Sequence, residues 1–160
     1  MSDIGHLKWM SAVTECGIHR ARLTVAMSHV AGLLPLDGDD LETLSDEDAA
    51  WLDQLLFRFA KLQDTMGDRI FPDGLALLGE EFADRPFIDA LNRMEALSLI
   101  PSRQWWMELR EFRNQVAHEY PDRREEQAAS INAIIGQCDE LIRTLDTFTL
   151  AVDEKVSAAD

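Results

Sequence analysis

Long apolar runs are missing from this 160-residue sequence: no stretch of about eighteen consecutive apolar residues occurs, so no membrane-spanning helix is expected. The opening Met1-Ser2-Asp3-Ile4-Gly5-His6 lacks a basic start followed by an apolar stretch. It does not read as a secretory signal, and a cytoplasmic location is the default expectation. Cysteine is scarce. Cys16 and Cys138 stand far apart with no metal-ligand neighbour at a useful spacing, and are expected to be reduced, small core residues. The four histidines, His6, His19, His29 and His118, show no paired spacing of the kind that builds a zinc site, so neither metal nor cofactor is expected. Strand-like alternation is absent, which argues against a sheet. Basic charge is also short: 15 Lys and Arg face 30 Asp and Glu, for a net charge of −15. Such a chain as a whole should repel phosphates.

The charge is unevenly spread. Residues 37–48 carry seven acids and no base, which reads as a solvated loop and helix start. Residues 101–124 carry five arginines (103, 110, 113, 123 and 124) against four acids, so this segment is +1 while the remainder is −16. The local balance makes residues 101–124 the place to look for an anion-binding function.

What is present is apolar residues three and four apart, the period of helices. A first helix is predicted from about His6 to Leu34, stopped by Pro35 and an Asp37-Gly38 turn. Ser45 with Asp48 resembles a capping box and starts a second helix. Its apolar face is Trp51, Leu52, Leu55, Leu56, Phe59, Leu62 and Met66, and Gly67 closes it. Pro72-Asp73-Gly74 reads as a turn before a short helix near Leu75 to Glu81. Pro86 opens a further helix to about Leu97. Ser102 caps another that ends at Tyr120-Pro121, and Asp122 with Glu125 starts the last. The expectation is an all-α, up-and-down bundle of four to six helices, a single domain over residues 1–152 with a frayed tail over 153–160.

The Ser102 helix, drawn as a wheel, sorts into three arcs. Trp105, Leu109, Phe112 and Val116 form a core face. Gln104, Glu108, Glu111, Gln115 and Glu119 form an acidic, solvated face. The third arc holds Arg103, Trp106, Met107, Arg110, Arg113, Asn114, Ala117, His118 and Tyr120, and no acid. Three arginines beside two large apolar side chains suit a protein interface or a polyanion site. Arg113 and His118 are five residues apart, about 140° round an ideal helix, so they flank Ala117 rather than stack. A two-fold axis near Ala117 would bring two copies of each together, so a site shared across a homodimer is expected.

Arg113 and Asn114, then His118, then Tyr120 resemble the signature of the HepT toxins within the HEPN superfamily. The wider segment from Leu109 to Pro121 is similar to that family too, and Arg58 to Asp64 and Pro86 to Arg93 resemble parts of a HepT-like subgroup. The resemblance implies a helical bundle that dimerises through the motif helices. It implies metal-independent RNA cleavage, and a partner nucleotidyltransferase acting as antitoxin, able to transfer AMP onto the motif tyrosine, here Tyr120.

The residue types suit that chemistry. RNA cleavage without a metal needs a base for the 2′-OH, an acid for the leaving 5′-oxygen and cationic help for the phosphorane. A histidine side chain titrates near pH 6.5 and can fill either proton-transfer role, so two copies of His118 can divide them. Arg113 offers a planar, always-charged fork for phosphate oxygens. Asn114 can orient His118 or donate to the phosphate, and Arg110, Arg103 and Trp106 are the expected RNA contacts. Arg58 and Lys61 are either an ordinary surface pair or a second border of an RNA groove. Competing readings are a non-catalytic HEPN-type scaffold for a nucleotidyltransferase, which suits the acidic chain, and a helix-turn-helix over Asn92 to Leu109. The latter would place Trp105, Trp106 and Met107 on a recognition helix, too apolar for reading bases.

Overall fold

A computed structural model describes residues 3–118 and 121–160 of the chain. All regular structure among them is helical, arranged as the expected all-α bundle. Helix α1 (Asp3–Val30) passes into a single 3-10 turn, Ala31–Leu33, and ends before a cis Leu34–Pro35 bond. Asp37 and Asp40 form a reciprocal capping box that starts α2 (Gly38–Thr43), so Asp37-Gly38 begins a short helix instead of only turning the chain. The Ser45 hydroxyl caps α3 (Asp46–Thr65) by accepting from the Asp48 N–H at 3.1 Å.

The second helix does not close at Gly67. A π-helical turn, Met66–Ile70, carries it directly into α4 (Phe71–Leu77), and Pro72-Asp73-Gly74 lies inside that helix, not in a turn. The wider π turn resets the hydrogen-bond register, and Pro72 then falls in the first turn of α4, where a missing N–H costs little. Helix α5 (Phe87–Ala96) follows Pro86. Helix α6 (Arg103–Val116) is capped by Ser102, whose Oγ accepts from the Trp105 N–H at 3.0 Å. After a 3-10 turn, Pro121–Arg123, α7 (Arg124–Ala159) completes the bundle.

Neighbouring helices run antiparallel, as the order of their side-chain pairs shows. Along α1 and α3, His29 stacks on Trp51 with ring centroids 3.7 Å apart, Arg58 donates to His19 Nδ1 at 3.0 Å, and Thr65 donates to Glu15 at 3.1 Å. Arg69 extends the series by donating to Glu15 at 2.7 Å. Burial draws the Glu15 carboxyl up, but the hydrogen bonds from Arg69 and Thr65 outweigh it and hold Glu15 below the usual carboxylate value. Along α6 and α7, Trp105 donates to Gln137 at 2.8 Å and Ser130 donates to Gln115 at 2.6 Å. An Arg20–Asp146 ion pair ties α1 to α7.

The core is built round the rings of Trp9, Phe59, Phe71, Trp106 and Phe148, all essentially buried. Both cysteines are buried in it, and burial pushes each thiol up to about 12, so they remain protonated and inert. Helix α7 continues through Asp153 to Ala159, where the sequence predicts fraying. Val152 is fully buried, Val156 packs on the core, and Trp9 Nε1 donates to Asp153 at 3.4 Å, contacts that reach as far as Val156, while residues 157–160 are exposed.

Gly74 marks the tightest approach. A Cβ at that position would lie 2.4 Å from a Phe148 ring carbon and 2.9 Å from Trp9. Both rings are locked in the core, so Gly74→Ala forces overpacking, with an expected cost of about 1–3 kcal/mol. Urea unfolding checks this: the midpoint should fall, and an unchanged midpoint would mean that the two rings have room to move.

Candidate functional site

The structure divides the acid-free arc of α6 in two. Arg103, Met107, Arg110, Asn114 and Ala117, spaced three and four apart, form an exposed row along the helix. Trp106 and Arg113 turn instead toward α3 and the π turn. Trp106 is 1 % exposed, with its ring 4.6 Å from that of Phe71 and pressed against Gly67. The expectation that Trp106 contacts RNA is therefore corrected: its ring is a core element. Arg113 is half-buried and donates from Nη2 to the Asp64 carboxylate of α3 at 2.9 Å. Trp106 and Arg113 are two helical turns apart on one flank, so a single neighbouring helix receives both.

Helix α6 stops at Val116, earlier than the sequence predicts. The Ala117 N–H still donates to the Arg113 carbonyl at 3.1 Å, closing the final turn, while His118 lies beyond the helix and is exposed. A proline at 121 has no N–H to give to the Ala117 carbonyl, and it begins the following 3-10 turn instead. The wheel angle for His118 thus no longer applies, although His118 remains at the solvent-facing end of the helix. Tyr120 lies outside the described residues.

Arg110 and Arg113 open onto a groove of about 290 Å³ between α3, the start of α5 and α6, shared with Gln63, Asp64, Asp68 and Phe87. Arg103 stands apart at the corner of α5 and α6. Its backbone N–H donates to Glu95 at 3.1 Å and its guanidinium to Asn92 at 3.3 Å. A wider groove of about 600 Å³ lies between α6 and α7, lined by Glu111, Gln115, Arg123 and Glu126 among others, without Arg113, Asn114 or His118.

Arg58 faces α1, where it meets His19, and also lies 5.2 Å over the Phe57 ring, which Lys61 approaches at 5.6 Å. Neither lines the groove beside Arg113. Gln63, Asp64, Asp68 and Phe87 were not among the expected site residues. One signal for them does stand in the sequence. Gln63 is a polar residue set between Phe59, Leu62 and Met66 on an apolar helix stripe, and only a partner or a function explains such a position.

Among the described residues no three of His, Cys, Asp and Glu lie close enough to share a metal ion, and no helix is long and apolar enough to cross a membrane. The chemistry available on α6 is that of a fixed guanidinium, an exposed second arginine, an amide and an exposed imidazole. No family model matches the chain, and no curated protein or solved structure does either.

Proposed function

We propose that this chain is a metal-independent endoribonuclease of the HepT type, the toxin of a toxin–antitoxin pair, acting as a homodimer with Arg113 and His118 at a shared site. The observation that carries the reading is the Arg113–Asp64 ion pair at 2.9 Å, which holds the guanidinium on the flank of α6 while His118 stands exposed past its end. A fixed fork and an exposed proton-transfer group at one helix terminus are what phosphodiester cleavage by a 2′-OH requires. The exposed row of Arg110, Asn114 and Arg103, free of acids, gives an otherwise acidic molecule one face that RNA can approach. The resemblance of the segment from Leu109 to Pro121 to the HepT toxins supports the same reading.

By that resemblance the partner is a nucleotidyltransferase antitoxin, and Tyr120 is the residue it would modify with AMP. An AMP group on Tyr120 would add bulk and negative charge to the motif segment, and both oppose RNA.

The test is incubation of the purified protein with total RNA in the presence of a chelator. Cleavage that persists without divalent metal is expected. Intact RNA under all conditions, with tight binding of a nucleotidyltransferase, would replace the nuclease by the non-catalytic scaffold.

A further inference from the structure

The groove beside Arg113 has a floor that the fold itself leaves unsatisfied. The Gln63 side chain is 2 % exposed, and neither its amide nitrogen nor its carbonyl oxygen has a hydrogen-bond partner, yet the residue lines the groove. An unpaired buried carboxamide costs free energy that an apolar side chain of similar size would not. Its two polar atoms are closed off as the groove stands, so a ligand that pairs with them must part the side chains over them as it enters. We propose that this groove is a base-binding pocket, in which the Gln63 carboxamide reads one amino-bearing nucleobase of a single-stranded RNA. The choice of RNA rests on the ribonuclease reading above; the pocket and its amide do not.

The lining selects the ligand. Arg110 and Arg113 are balanced by Asp64 and Asp68, and Arg113 gives one of its nitrogens to Asp64. A near-neutral lining favours a neutral head group deep in the groove over a phosphate. At about 290 Å³ the space is at the small end of ligand pockets, enough for one nucleotide unit and no more. A carboxamide presents a donor and an acceptor side by side and can hold adenine through N6 and N7, cytosine through N4 and N3 or uracil through O4 and N3, so the choice among them falls to the groups around it. The Asp64 and Asp68 carboxylates add acceptors that suit an exocyclic amino group and oppose the O4 carbonyl of uracil. Phe87, 38 % exposed at the mouth, offers a ring face for stacking, and the exposed Arg110 is placed for the phosphate that stays outside.

Fluorescence anisotropy with labelled oligo(A), oligo(C) and oligo(U) RNA tests the pocket directly. The wild-type protein should bind oligo(A) and oligo(C) about tenfold more tightly than oligo(U), because once Gln63 holds the base edge the carboxylates accept from an amino group and repel the O4 carbonyl. Gln63→Leu should lose that preference while melting no lower than wild type, which shows that it is folded. Phe87→Ala, a change at an exposed rim, should weaken all three by roughly fivefold or more without altering their order. A Gln63→Leu protein that still prefers oligo(A) and oligo(C), or a wild type that binds all three alike, overturns the pocket and leaves the ribonuclease reading intact. The same variants titrated with AMP, CMP and UMP separate the converse. A Gln63-dependent preference for AMP and CMP with no RNA binding overturns the RNA reading and keeps the pocket.

Discussion

Replacing His118 with alanine is expected to lower RNA cleavage at least about a hundredfold, since positioned general acid–base groups contribute about 10²–10⁴ to rate. The side chain is exposed beyond the end of α6, so its removal leaves the apolar core in place, and a melting curve checks that the variant is folded. Arg113→Ala should cost a comparable factor, and Arg113→Lys should recover little of it, because an ammonium lacks the planar fork that grips two phosphate oxygens. Asp64→Asn is a milder change. The Arg113–Asp64 pair is more than a third exposed on both sides, and pairs of that kind are worth only about 0–1 kcal/mol, so a few-fold loss at most is expected. The shared site adds a sharper test. If two copies of His118 divide the acid and base roles, co-expressing wild type with His118→Ala at equal levels leaves only about one quarter of randomly paired isologous dimers competent. Sites complete within one chain would instead retain about half the activity. Cleavage assays on the co-purified mixture distinguish the two, and retention of half would remove the composite site while leaving His118 catalytic.

Much of the fold was legible because its signals are local. Ser45 and Ser102 cap the helices they were expected to cap, and the stripe of Leu52, Leu55, Phe59, Leu62 and Met66 is buried as a helical period predicts. Some misses, by contrast, depend on a neighbour distant in sequence. Gly74 reads as a turn residue until Phe148 and Trp9 are placed against it, when the missing Cβ becomes a requirement of packing. Helix α7 runs on past Asp153, where Trp9 and the core meet Asp153 and Val156.

The wheel of α6 failed in the same way. It assumes one buried face, but α6 packs on more than one partner. Trp105, on one side, reaches Gln137 of α7, while Trp106 and Arg113, on the flank, reach Phe71 and Asp64. A wheel carries no information about a second neighbour. The arginine was legible as special, whereas the carboxylate that orients it and the amide beneath it were not, because nothing in the order of residues places α3 beside α6.

Trp106→Ala follows from that correction and carries the largest expected loss of stability. Truncating a buried Phe or Trp typically costs about 3–5 kcal/mol, since the apolar contact is lost and a cavity remains. Here the ring is 1 % exposed, tilted against Phe71 and seated on Gly67, so the site has little freedom to collapse. Against a total stability of about 5–15 kcal/mol this is a large fraction, and the melting temperature should fall by roughly 10 °C. Had Trp106 served RNA from the surface, the same substitution would weaken binding and leave melting untouched. Arg110→Ala, on the exposed row, should show that surface pattern: unchanged melting, weaker RNA binding and a smaller dependence of binding on salt. The pair of variants separates the two halves of the α6 arc by measurement. A Trp106→Ala protein that melts with wild type would return the indole to the surface row, and with it the flank packing that sets Arg113 against Asp64.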